Sequence, residues 1–187
     1  MTWSFTLWRI FSDFADLGHK FFKTTPETYP IAFVPGDIFD PKHLEIVPPF
    51  TDANAPTGPA PALRSLTSLN PLHGRVSAIF ATSFFHLFDE EKQLYAARAL
   101  AGLLSPARGS MIFGTHVGLL EKGVKQMKEN GRQMFCHSPA TWTNLWDGQV
   151  FEKGSVKVQS YLLQIPFNIE ESPAQYKTLL IWCLVRL

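Results

Sequence analysis

The chain reads as an α/β fold built around a parallel sheet, and three features carry that reading. An apolar run at Val76–Phe80 is followed by a helical stretch opened by Asp89 and then by a further apolar run from Met111 to Gly114, a strand–helix–strand alternation. Two β-like runs, Val156–Ile165 and Leu179–Leu187, close the chain. The polar stretch between them, with Pro166 and Pro173, is too short for a crossover helix, so they pair as antiparallel neighbours. At 187 residues, 45% hydrophobic and 18% charged, the composition supports one packed domain over 1–187.

Taken in order, Trp3, Phe5 and Leu7 alternate with Ser4 and Thr6, so Met1–Trp8 predicts a strand. Phe14, Leu17, Phe21 and Phe22 fall at helical spacing behind Ser12 as N-cap, predicting a helix over Ser12–Phe22. Ile31–Val34 reads as a buried strand ended by Pro35-Gly36-Asp37. Residues 47–62 carry prolines at 48, 49, 56, 59 and 61 and read as a surface loop within one domain. In the helix after Asp89, Leu94, Ala97, Leu100, Leu103 and Leu104 keep the helical period until Ser105-Pro106 and Gly109 end it. The pattern loosens through Lys122–Gly131. Ser138-Pro139 then supplies an N-cap and a first-turn proline for a helix through Trp142 and Trp146, stopped by Asp147-Gly148.

Charge excludes some functions. Seventeen Lys+Arg against sixteen Asp+Glu leave no basic face for nucleic acid. The longest apolar stretches, such as Leu179–Val185, fall short of the roughly 20 residues of a membrane helix. Met1–Phe11 lacks the basic start and small-residue cleavage site of a signal peptide. Two cysteines, Cys136 and Cys183, are too few for a disulfide framework or a cysteine-based zinc site, and a reducing cytoplasmic setting is the default expectation.

Five segments carry a family resemblance: DFADLGHKFF at 13–22, GDIFD at 36–40, AIFATSFFHLFDEEKQ at 78–93, GSMIFGTHVG at 109–118 and FCHSPATWTNLWDGQVFEKG at 135–154. From about residue 11 onward the chain resembles the fungal class I S-adenosylmethionine-dependent methyltransferases of meroterpenoid and polyketide biosynthesis. The resemblance implies a Rossmann-like sheet of strand order 3-2-1-4-5-7-6. It also implies an opening strand with a glycine-rich turn and a following acid that hold the cofactor. Met1–Phe11 contains no glycine and no acid, so the expected domain is N-terminally truncated and lacks that motif.

Site candidates follow. By resemblance, Asp37 meets the adenine amine while Ile38 packs on the ring, against the plainer role of Asp37 as a turn cap after Pro35-Gly36. Ser83, Phe84, Phe85 and His86 lie past the strand at 76–80, where open α/β sheets bind ligands; Ser83 and Phe84 are placed on the cofactor side, Phe85 on the substrate side. His86 is the catalytic candidate, as a base on a hydroxyl or as the partner of a carboxylate, against a structural role. His116, at the end of the next strand, and Trp142 are the other substrate-side candidates. Trp142 and Trp146, four apart, also read as core or lid packing. His86, His116 and His137 show no metal-ligand spacing, so no metal is expected.

The resemblance implies an O-methyltransferase-family protein of fungal secondary metabolism acting on a small aromatic or meroterpenoid carboxylic acid or hydroxyl. The alternatives are a cofactor-independent relative that binds a hydrophobic intermediate, as cyclase, isomerase or accessory protein, or an inactive truncated paralogue. The expected partners are a small-molecule substrate and a second copy or partner enzyme, without nucleic acid or membrane.

Overall fold

Backbone polar groups must be paired when buried, so an apolar run becomes a strand only where a neighbouring strand completes its ladder. The computed structural model describes residues 16–25, 27–29, 32–126, 131, 133–167 and 175–187. These form two compact units: described residues of Met1–Glu45 with Thr57–Leu72, and Ile46–Pro56 with His73–Leu187.

In the first unit, residues 16–22 are helical (α1), within the expected helix; its Ser12 cap and the expected strand at Met1–Trp8 lie outside the described residues. The expected strand at 31–34 is not found: Ile31 is outside the described residues, and 32–37 are irregular. Ala32–Val34, cut off by Pro35, which has no N–H to give, form no ladder among the described residues. Leu44 and His43 are the buried residues of this unit, and the His43 carbonyl accepts the Leu69 amide at 2.8 Å.

The second unit holds a mixed sheet of β1 (Ala78–Phe80), β2 (Met111–Val117), β5 (Val156–Phe167) and β6 (Gln175–Arg186), ordered β1–β2–β6–β5. β1 and β2 run parallel; β6 lies antiparallel to both β2 and β5. This order is compatible with the 4-5-7-6 part of the strand order that the family resemblance implies, with β6 inserted between two earlier strands. A separate hairpin of β3 (Gly123–Gln126) and β4 (Gln133–Cys136) fills the stretch where the sequence pattern loosened. Asn130-Gly131 lies in the connection, but Gly123–Gln126 gives that turn signal no alternating apolar flank on one side, so the sequence pattern alone did not predict the pairing.

Strand periodicity separates the two sheet faces. Ile112, Gly114 and His116 of β2 oppose Leu184, Trp182 and Leu180 of β6, and all six are buried. On the other face Phe80 and Tyr161 are 64% and 57% exposed. α3 (Pro139–Trp146) packs on β5, where Ser160 Oγ donates to the Pro139 carbonyl at 3.0 Å. Ser138 caps α3 by accepting the Thr141 amide, with Pro139 in the first turn as its sequence predicts.

α2 (Glu90–Leu103) starts at Asp89, whose side chain accepts the Lys92 amide at 2.9 Å, and Glu90 and Glu91 complement the positive end of the helix. It buries Ala96, Ala97, Leu100 and Leu103. Asp89→Ala is expected to lower stability by about 1 kcal/mol in urea unfolding, because one first-turn amide loses its acceptor. An unchanged midpoint would show that water replaces the cap at no cost.

Candidate functional site

The carboxyl ends of β1 and β2 are locked together beyond the strands. The Ala81 amide donates to the Phe113 carbonyl at 2.9 Å and the Ser83 amide to the Thr115 carbonyl at 2.6 Å. The hydroxyls of Thr82 and Thr115 meet at 2.7 Å. This close approach needs Gly114, since a Cβ there would run into the Ala81 carbonyl. Ser83 takes φ 51°, the left-handed region that few residues other than glycine enter, and so turns the chain sharply out of the sheet.

The chain then makes one 3₁₀ turn, Phe85–Leu87, which sends Phe85 inward and leaves Phe84 and His86 half-buried at the margin. Phe85 is fully buried in a box of rings: Trp142 at 4.9 Å between centroids, His116 and Trp182 each at 5.8 Å, and Trp146 at 6.1 Å. Three residues assigned to the substrate side from sequence, Phe85, His116 and Trp142, therefore meet one another, with His116 and Trp142 at 4.5 Å. Ser83, Phe84 and His86 share the loop beside them. Asp37 and Ile38 belong to the other unit.

Burial sets the histidine chemistry. His116 is 2% exposed; desolvation, reinforced by His86 and His137, pushes its pKa down to about 3. His137, 3% exposed, is pushed down to about 4 by burial, with Glu90 raising it and Lys122 lowering it. Its Nδ1 lies 3.0 Å from Thr141 Oγ1. Both rings are neutral at pH 7.

Gln93 went unremarked in the sequence. It is fully buried in the first turn of α2, and its Nε2 donates at 2.9 Å to the carbonyls of both Phe88 and Phe135, tying the loop after β1 to β4. The available signal was an amide inside a helix stripe that is otherwise apolar. Lys122 adds a half-exposed ion pair to Glu90 at 2.9 Å.

Asp37 is exposed, and its Oδ1 accepts the Phe39 amide at 2.9 Å, the geometry of a turn cap. Around it, burial lowers the pKa of His43, opposed by Asp40 and Asp37. Of the cofactor-side candidates, one Asp37 oxygen serves its own turn, and the Ser83 amide is spent on Thr115. Three surface cavities, of about 590, 380 and 620 Å³, are lined by none of Asp37, Ile38, Ser83 or Phe84. Among the described residues no three His, Cys, Asp or Glu side chains gather as a metal site, and no helix is long and apolar enough to cross a membrane.

No family model matches the chain. It is similar to O-methyltransferase phiE of a fungal species, 27% identical over 142 residues, which cover 76% of this chain and 39% of that protein. It is also similar to the asnovolin E/chermesin D methyltransferase nvfJ of Aspergillus novofumigatus, 32% identical over 87 residues, 46% of this chain and 31% of that one. Methyltransferase adrK of Penicillium roqueforti is 27% identical over 88 residues, 47% of this chain and 31% of that protein. The curated relatives are fungal methyltransferases, as the five segments indicated, and the matches span only about a third to two-fifths of their length.

Proposed function

We propose that this chain forms the substrate-binding side of a fungal O-methyltransferase-family protein of secondary metabolism, for a small aromatic or meroterpenoid carboxylic acid or hydroxyl. The observation that carries the reading is the 142-residue similarity to an O-methyltransferase, and the strand order β1–β2–β6–β5 is compatible with it. The acceptor lies against the loop after β1. Phe84 packs on its body, and His86 pairs with its polar group at the margin of the ring box. A carboxylate is already ionised at pH 7, so such an acceptor asks for positioning more than for proton transfer. A hydroxyl acceptor asks His86 to take its proton.

A second reading, a cofactor-independent protein that binds a hydrophobic intermediate, is favoured by the engagement of Asp37 in its own turn and of the Ser83 amide with Thr115. Calorimetry separates the two. With 2,4-dihydroxybenzoate as probe, the 187-residue chain is expected to bind saturably and His86→Ala to bind about tenfold more weakly, the equivalent of one hydrogen bond to a charged group. S-adenosylmethionine is expected to bind the same chain more weakly than the low-micromolar range. Tight cofactor binding would sink the second reading; equal probe binding by the variant would remove His86 from the site.

A further inference from the structure

The first turn of α2 breaks a local rule. Phe88 stands just before the cap residue Asp89 and Gln93 is the fourth helical residue, the pair of positions at which two apolar side chains ordinarily pack to fix the entry into a helix. Phe88 is apolar, but Gln93 is an amide and is fully buried. Helical side chains lean toward the amino end, so the amide reaches back and its Nε2 donates to the Phe88 carbonyl at 2.9 Å. The second hydrogen of the same nitrogen goes to the Phe135 carbonyl of β4, also at 2.9 Å. Gln93 Oε1 is left buried with no hydrogen-bond partner among the described residues, a cost that a leucine or methionine would not carry. What the amide adds against that cost is a tie between the exit of the loop after β1 and a strand that is distant in sequence.

The tie closes a frame around His86. At the loop's entry the Ser83 amide donates to the Thr115 carbonyl at 2.6 Å, and in its middle Phe85 is fully buried among rings. At its exit Asp89 caps α2, and Gln93 holds the Phe88 carbonyl to β4, the strand that packs on the 3₁₀ turn Phe85–Leu87. His86 is the half-buried central residue of that turn. We infer that Gln93 is a positioning residue: by tying Phe88 to Phe135 it sets where the His86 imidazole stands, and His86 holds the acceptor's polar group only while that tie is made. A polar contact stretched beyond about 3.5 Å is no longer a hydrogen bond, so a small shift of the turn is enough to lose it. The inference rests on the proposed function for the part His86 plays in binding, and goes beyond it by assigning the residue that orients His86.

The test is a double-mutant cycle read by calorimetry with 2,4-dihydroxybenzoate, on the wild-type chain, His86→Ala, Gln93→Met and the two changes together. Methionine keeps the length of glutamine and donates nothing. In the wild-type background His86→Ala is expected to weaken binding about tenfold, and in the Gln93→Met background by less than about twofold. Asp89→Ala loosens the same end of α2 but leaves the tie in place, and is expected to preserve the full effect of His86→Ala. An effect of His86→Ala that survives Gln93→Met, or that Asp89→Ala abolishes as well, would make Gln93 a packing residue of the helix end and overturn the inference. Should Gln93→Met not fold, Gln93→Asn, whose amide stops one methylene short of the two carbonyls, takes its place. If His86→Ala binds the probe like the wild-type chain, the proposed function loses His86, and the imidazole carbon–proton NMR signals decide the inference by themselves: Gln93→Met is expected to move those of His86 and Asp89→Ala to leave them, and unmoved His86 signals in Gln93→Met would overturn it.

Discussion

Taking the protein from pH 7.5 to pH 5.0 will cost about 4 kcal/mol of stability through His116 and His137 alone. Folding holds their pKa values at about 3 and about 4, against an unfolded value of about 6.5. Above pH 6.5 neither ring is charged in either state, and the full stability is present. Below it the unfolded chain takes up protons that the folded chain refuses. Each ring then removes about 1.4 kcal/mol per pH unit, down to about pH 4 for His137 and about pH 3 for His116. By pH 5 that is about 2 kcal/mol per ring. Burial pushes His43 in the same direction. Carboxylates titrate mostly below this window, so urea unfolding at pH 7.5, 6.5, 5.8 and 5.0 isolates the histidines. His137→Asn should remove about half of the slope, and a stability that stays flat across the window would mean that both rings reach solvent in the folded state.

Elements whose ends are written in local chemistry were legible. Asp89 and Ser138 each have the side chain of an N-cap and each is one, and Pro139 sits where its missing N–H is harmless. The closing strand pair followed from connection length, and the observed register extends both strands by a few residues to Phe167 and Gln175. What the sequence hid was pairing. Ile31–Val34 and Met111–Gly114 look alike as four-residue apolar runs; the second became the start of a seven-residue strand because β1 and β6 flank it, and the first found no ladder among the described residues. The hairpin of β3 and β4 was hidden because only one of its strands is apolar: Val124 stands among Gly123, Lys125 and Gln126, while Met134, Phe135 and Cys136 face them across the ladder.

The site was legible in its residue types and not in its depth. Phe85 and His116 were placed on the substrate side because they follow strand ends, and Trp142 as a stacking ring on the next helix; they do converge, but in a box closed to solvent. Alternation along β2 gave the direction: His116 lies two residues from Gly114 and four from Ile112, on the face that Leu180, Trp182 and Leu184 cover. Gln93 and Trp182, which hold the loop and orient His116, left no motif, because each works through a single geometry that only the folded chain creates.

Gly114→Ala will be the most damaging single-methyl change in this protein, with an expected loss of about 3–5 kcal/mol. Its backbone conformation is ordinary; the cost is steric. The added Cβ would strike the Ala81 carbonyl oxygen, stand 2.6 Å from the carbonyl carbon and 3.3 Å from the Thr82 amide nitrogen. All three are backbone atoms held in the β1–β2 ladder, so none can swing aside as a side-chain tip would. β2 cannot retreat either, because Gly114 is paired to Trp182 of β6 on its other side. The strands must part where Thr82 meets Thr115 and Ser83 bonds to the Thr115 carbonyl, which releases the turn that carries Phe85 and His86. Gly123→Ala is the control: that position has open space around it and is expected to change stability by less than about 1 kcal/mol. In urea unfolding of the two variants, a Gly114→Ala midpoint close to that of Gly123→Ala would mean that the ends of β1 and β2 stand further apart than the Ala81–Phe113 and Ser83–Thr115 bonds require.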